Sequence, residues 1–550
     1  MGSMELEHQT METFLRWAAD IGISDSIDSS RFRDSCLGHS LSVADFSLAG
    51  GRGLGAAREL RKGELVLKVP RNALMTTESI VAKDQKLNDA VHLHGSLSST
   101  QILSVCLLYE MSKGKKSFWY PYLVHLPRDY DLLATFGELE KQALQVEDAV
   151  WVTEKATAKC QSEWKEAVTL MKELDLKPKF QSFQAWLWAS ATISSRTLHI
   201  PWDSAGCLCP VGDLFNYDAP GDDSNNSEGP ESAIQTSFPQ PISTTNEYGG
   251  FEEDANAYCL YARRNYQQGE QVLLCYGTYT NLELLEHYGF MLEENSNDRV
   301  FIPLETSLYS LASSWPKDSL YIHQDGKPSF ALVSTLRLWL IPQSQRDKSV
   351  MRLVYAGSQI SAKNEILVMK WMSEICGSVL RDLPTSVSED TLLLHNIDKL
   401  QDPELPLEQK EKEAFGSEMR AFLDVNRLWD WMSEICGSVL RDLPTSVSED
   451  TLLLHNIDKL QDPELPLEQK ETEAFGSEMR AFLDVNRLWD VIRFSGKDVE
   501  FSRRTFRMMS KWRLSVQWRL SYKRTLADCI SYCNEKMNNL LSTRDGRFVT

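Results

Sequence analysis

Apolar positions change their period several times along the chain, and each change predicts a different element. Met11, Phe14, Leu15, Ala18 and Ile21 recur at three- and four-residue spacing, so residues 10–23 should form a short amphipathic helix leading into the first domain. From Phe46 to Pro70 the run FSLAGGRGLGAARELRKGELVLKVP has short apolar stretches cut by glycines, the pattern of strand, turn, strand, turn, strand, closed at a proline. Helical spacing returns over about 80–200, strongest in TQILSVCLLYEMSKG and FQAWLWASATISSRTL, with SFWYPYLVHLP as an aromatic loop between elements. Strands resume in CLYARRNYQQGEQVLLCYG, where QQGE turns the chain between two apolar runs. The stretch of about 219–254 is rich in Gly, Pro, Ser, Asn and acid and reads as a mobile loop. After Asn297 the pattern is helical with scattered prolines.

One feature of the C-terminal half is not periodicity but repetition. Residues 371–430 recur at 431–490 with a single difference, Lys412 against Thr472. Two near-identical copies do not make a solenoid, whose repeats diverge and number at least three. Only one copy can fill one packing site, because identical apolar faces cannot both occupy one cavity; the other should be extruded or form an extra helical pair.

At 550 residues, 42% hydrophobic and 25% charged, the chain is globular in composition and long enough for two or three domains. A net charge of -20 argues against direct binding to nucleic acid and would attract a basic protein. The first copy of the repeat holds 13 acidic and 6 basic residues, so part of that charge comes from the duplication. No run of eighteen or so apolar residues offers a membrane span. The acidic N-terminus carries no signal or Arg-rich import pattern, which points to cytoplasm or nucleus and disfavours the chloroplast. Eleven cysteines without dense even spacing read as reduced thiols. Cys207 and Cys209, and Cys529 and Cys533, invite a zinc reading, but a structural site wants four closing ligands and no metal is expected.

Three ordered blocks carry the chemistry. Gly51, Gly53 and Gly55 form a G-x-G-x-G turn followed by the strand Gly63, Glu64, Leu65, Val66; a Rossmann loop would open a helix instead, and alone the cluster is a plain β-turn. Asp213 to Asp218 reads DLFNYD, and about sixty residues later Tyr276 to Phe290 reads YGTYTNLELLEHYGF. Between the first two stands SSRTL with Arg196, which by itself reads as a surface arginine ending a helix. Taken singly, the tyrosines read as core aromatics.

In this order the blocks resemble SET-domain methyltransferases, in particular the rubisco large-subunit methyltransferase-like branch. The resemblance covers residues 40–300 well and the helical remainder more loosely. It implies an α+β fold: a SET-domain β fold of short strands with a helical insertion, a pseudoknot formed by the third block, and an all-helical C-terminal domain that presents substrate. Its domains would be a lead-in at 1–40, the SET unit at 41–300 and the helical region at 301–550. The expected activity is S-adenosylmethionine-dependent methylation of a protein lysine by a chain working as a monomer, with a histidine acceptor or a catalytically silent interaction module as alternatives. By the same resemblance Tyr276 is catalytic, and Gly53, Leu54, Gly55, Arg196, Asp213, Asn216, Tyr217, Tyr276, Tyr288 and Phe290 contact the cofactor. Arg196 matches the cation for the cofactor's carboxylate. The family pattern D-x-x-N-H departs here to Asp213-Leu214-Phe215-Asn216-Tyr217, so contacts made by an imidazole are lost while backbone contacts remain.

Overall fold

The computed structural model describes residues 2–26, 34–46, 51–219, 249–275, 277–313, 315–401 and 503–545. The N-terminal periodicity forms helix α1 (Gly2–Asp20), whose Phe14 and Ala18 are buried in the first core. Strand β1 (Leu41–Phe46) pairs antiparallel with β2 (Gly51–Ala56), and β3 (Leu65–Pro70) follows. The three-strand reading is right but shifted: Phe46 ends the first strand rather than opening it, because the register Leu41↔Ala56 to Phe46↔Gly51 extends the pairing upstream. That upstream end is pinned by Asp25, whose buried carboxylate Oδ2 accepts from the backbone N–H groups of Gly38, His39, Ser40 and Leu41 at 2.8–3.1 Å. Four converging amides hold a carboxylate firmly, and they fix the chain's entry into β1.

The helical insertion is built on α2 (Ser99–Lys113), α3 (Glu147–Glu173) and α4 (Phe183–Arg196), with shorter helices between them. Ser98 and Gln101 close a capping box that starts α2, and Ser182 caps α4. Out of α4 come β4 (Thr197–Ile200) and β5 (Asp203–Leu208), an antiparallel pair, then β6 (Asn216–Tyr217). Of the expected loop, 220–248 lies outside the described residues. Its end is not a loop: β7 (Gly249–Glu252) pairs antiparallel with β8 (Ala257–Tyr261), and β8 pairs with β3, giving the order β3-β8-β7. Phe251 anchors this strand by packing edge-on against Trp202 at 4.4 Å. Strand β9 (Leu273–Leu274) then lies parallel to β6.

Helix α5 (Asn281–His287) and a two-residue ladder of β10 (Arg299–Val300) with β11 (Ile322–His323) lead into the helical region: α6 (Phe330–Trp339), α7 (Ala362–Asp382), α8 (Val387–Gln401) and α9 (Arg503–Asp545). The chain divides into two compact units, one of Met1–Thr391 with Leu514–Thr550 and one of Leu392–Arg513. In the first, one hydrophobic core gathers α1, the short strands and the helical insertion, and a second gathers α6, α7 and α9 around Leu332, Met372 and Leu526. A buried ion cluster belongs to this unit: Arg519 donates to Asp390 Oδ1 at 2.7 and 3.0 Å, and Lys523 Nζ donates to Asp390 Oδ2 at 2.6 Å. Met372, Cys376 and Asp390 belong to the first copy of the repeat; residues 402–490, including all of the second, lie outside the described residues. In the second unit Arg513 Nε donates to Asp398 Oδ1 at 2.5 Å.

Candidate functional site

The glycine block meets the other two through close backbone approach. A Cβ at Gly53 would stand 2.8 Å from Asn216 Nδ2 and 2.9 Å from Gln271 Nε2, so a side chain there would displace those two amides from β2. The neighbouring backbone is already paired: Val272 N donates to Leu54 O, and Ala56 N donates to Glu270 O, both at 2.8 Å. Leu54 is therefore a buried core residue whose carbonyl is taken, and Gly55 stacks against the Phe46 ring. Of the three, Gly53 is the one that borders Asn216. Asn216 itself sits opposite Leu273 in the parallel β6–β9 pair, and Asp218 N donates to Leu274 O at 2.9 Å, which brings the DLFNYD block beside the chain entering the third block.

Arg196, the last residue of α4, points at the same block. Its Nη1 donates to the Asp213 carbonyl at 2.9 Å and to Asp213 Oδ2 at 3.3 Å. Asp213 Oδ2 also accepts from the Tyr122 hydroxyl at 2.8 Å. The Asp213 side chain is only 4% exposed against 23% for Arg196, so the aspartate is an internal brace for a partly exposed arginine. Burial and the adjacent Asp213 push the Tyr122 phenol well above its usual pKa, so it stays protonated and keeps donating. Burial likewise raises Tyr130, although the Arg196 charge beside it pulls the other way.

The third block begins at Tyr276, which lies outside the described residues. From Gly277 onward the chain is held by a dense set of hydrogen bonds. Thr280 and Glu283 form a capping box that starts α5. Buried Asn281 donates to Asp298 Oδ2 at 3.0 Å and to Leu292 O at 3.1 Å, while Asn295 Nδ2 donates to Tyr279 O at 3.0 Å. These bonds place a cluster of aromatic rings. Tyr279 and Tyr288 meet edge-on at 5.3 Å, with the Tyr288 hydroxyl 3.2 Å from that of Tyr279; Phe290 stands 6.1 Å from Tyr288 and 5.8 Å from Tyr217. The structure thus brings together Gly53, Asn216, Tyr217, Tyr288 and Phe290 through shared contacts, and sets Arg196 with Asp213 on the chain just before Asn216.

Sequence reasoning missed Tyr122, Gln271 and Tyr279. Tyr122 falls in the aromatic run SFWYPYLVHLP, and Tyr279 is inside the third block; for Gln271 no local signal exists, since its place depends on the long-range bridge to Gly55. Cys207, Cys209, Cys529 and Cys533 are buried, all described cysteines are free, and among the described residues no group of three or more His, Cys, Asp or Glu could hold a metal ion. Among the described residues no helix is long and apolar enough to cross a membrane.

The SET domain family model matches residues 51–277. A protein of Arabidopsis thaliana, SET DOMAIN GROUP 40, is 76% identical over 546 residues, 98% of this chain and 99% of that one. The actin-histidine N-methyltransferase of Mus musculus is 27% identical over 381 residues, which cover 63% of this chain and 59% of that protein. Among solved structures, Rubisco LSMT bound to AdoMet is similar at 18% identity and a TM-score of 0.45, over 70% of this chain and 84% of that one.

Proposed function

Because the chain belongs to the SET-domain family, we propose that this methyltransferase is S-adenosylmethionine-dependent and modifies a side-chain nitrogen of a partner protein, with lysine as the acceptor. The observation that carries the reading is the convergence at Gly53, where β2, the Asn216 amide and Gln271 come into direct contact, with the Arg196–Asp213 pair just upstream of Asn216 and the aromatic cluster just downstream.

The residues present fit the cofactor. Gly53 leaves an edge without a side chain beside an amide, and Arg196 offers a partly exposed cation for a carboxylate. When bound, S-adenosylmethionine supplies an electrophilic methyl group on a sulfonium that leaves as a neutral thioether. The chain's own task is to bring a neutral nitrogen in line and keep water away. Aromatic walls serve both ends: desolvation lowers the pKa of a lysine ammonium and so frees its lone pair, and ring faces accept a methylated cation. Tyr217, Tyr279, Tyr288 and Phe290 are the described rings available for such a wall. Tyr276, the residue between Cys275 and Gly277, would orient the acceptor through its hydroxyl.

Relatives named actin-histidine N-methyltransferase favour a second reading, in which the acceptor is a histidine; an imidazole also fits between aromatic faces. The two separate by product analysis. Labelled protein from a leaf extract, and purified actin, would be digested after incubation with the enzyme and the modified residue identified by mass spectrometry. Methyl-lysine supports the first reading, methyl-histidine replaces it with the second, and unlabelled acceptors in the presence of a cofactor-binding protein count against both.

A further inference from the structure

The aromatic run SFWYPYLVHLP supplies rings that the methyl-transfer site does not use. Phe118 and Trp119 meet edge-on at 5.2 Å and 86°. Trp17, carried by α1, stands 5.7 Å from Phe118 at 64° and 6.0 Å from Trp119 at 69°. Three rings set pairwise at such steep angles are the faces of a box corner. Trp119 is the buried back wall, while Phe118 is 45% exposed, so the corner opens to solvent. It already holds a cation. Lys83, exposed in the turn between the helices Thr77–Val81 and Gln85–Leu93, places its Nζ 3.8 Å from the Phe118 ring centre and 5.3 Å from that of Trp119.

Among the described residues Lys83 has no ion pair, and the carboxylates of Asp84 and Glu110 are both taken by Lys113 Nζ, at 3.1 and 2.7 Å. Burial lowers the Lys83 pKa and the Glu110 charge only partly offsets this, so the corner suits a small, strongly hydrated ammonium poorly. A methylated ammonium keeps the charge, sheds much of that hydration and adds apolar surface, and ring faces favour all three. The present occupant also shows that the opening admits a lysine stem as well as a head group. Displacing it asks little of the fold, because an exposed side chain on a turn can swing into water.

We propose that Trp17, Phe118 and Trp119 form a cage for a methylated lysine of a partner protein, with Lys83 as the resident side chain that this ligand displaces. The cage shares no ring with the cluster of Tyr217, Tyr279, Tyr288 and Phe290, and it does not depend on the methyltransferase reading above.

The test titrates the full chain with Nα-acetyl-Nε-trimethyllysine amide, followed by ligand-observed NMR. Unmodified Nα-acetyllysine amide should bind at least about five-fold more weakly, since it meets the rings with its hydration intact. Lys83→Ala vacates the corner and should tighten the trimethylated probe about three- to ten-fold. Phe118→Leu keeps an apolar side chain but removes the ring face, and should weaken the probe at least about five-fold. Choline separates a protein-borne lysine from a free quaternary ammonium, and should bind less tightly than the probe for want of the stem. Equal affinity for the two lysine probes, an unchanged or weaker Kd in Lys83→Ala, full binding in Phe118→Leu, or tighter binding of choline would each overturn the proposal. So would the absence of probe binding to both wild type and Lys83→Ala.

Discussion

Adding one methyl group at Gly53 tests whether β2 and the Asn216 amide form a single binding surface. The new Cβ would lie 2.8 Å from Asn216 Nδ2, 2.9 Å from Gln271 Nε2 and 3.3 Å from Phe46 Cδ2. Restoring an ordinary contact of about 3.5 Å requires the two amides to retreat by roughly 0.6–0.7 Å. Both residues have partners elsewhere in the structure, and Asn216 is further held by the β6–β9 pairing. Forcing a methyl into such a contact costs about 1–3 kcal/mol. If the displaced Asn216 must return to bind the cofactor, that cost appears as an affinity loss of about 5- to 150-fold. Titration calorimetry with S-adenosylmethionine on Gly53→Ala measures it. Two controls bracket the effect. Gly55→Ala meets Phe46 at 3.3 Å, backbone at 3.7 Å and Ala44 Cβ at 3.9 Å, and should lose less; Gly250→Ala has nothing within 4 Å and should bind as wild type. A folded Gly53→Ala protein with wild-type affinity would refute the reasoning, because it would mean that Asn216 moves freely or does not touch the ligand.

Asp390→Ala leaves Arg519 and Lys523 buried without their shared anion, and should cost about 3–5 kcal/mol, read as a large fall in Tm. Asp25→Ala strands the four amides of Gly38 to Leu41, and should cost at least about 2 kcal/mol; its Tm should fall as well, and an unchanged Tm would show that water replaces the carboxylate. Deleting residues 431–490 should leave Tm unchanged, because the buried Met372, Cys376 and Asp390 all belong to the first copy; a lower Tm would show that the second copy contributes packing of its own. Arg196→Gln removes the proposed cation for a ligand carboxylate and should weaken cofactor binding about ten-fold or more; it also strips the buried Asp213 of its ion pair, so Tm should fall as well.

Much of this was legible in the sequence where a local rule governed. The α1 stripe, the cut strands around the glycines and the long helices of the insertion follow the apolar period of the chain, and Ser98 with Gln101 closes the start of the first of those helices. Strand β7 escaped because its GGFE run sits at the end of a polar stretch and owes its conformation to pairing with β8 and to Trp202, neither of which is local. At the site, residue identities came from resemblance and their division of labour did not. Asp213 and Arg196 were assigned alike, yet Asp213 is buried and braced by Tyr122, while Arg196, its ion-pair partner, is partly exposed. Gln271 and the bond from the Tyr217 hydroxyl to the Gly277 carbonyl could not be read at all, since each depends on a contact between segments at least sixty residues apart.

Methyl transfer is tested most directly by comparing wild type with Tyr276→Phe in the transfer of a labelled methyl group from S-adenosylmethionine to leaf protein. A labelled acceptor band is expected with wild type and should be lost in the variant, while both proteins bind the cofactor. A band of equal strength in the variant would remove Tyr276 from the chemistry. Failure of the wild-type protein to bind S-adenosylmethionine would contradict the account as a whole and leave the chain as a SET-fold interaction module.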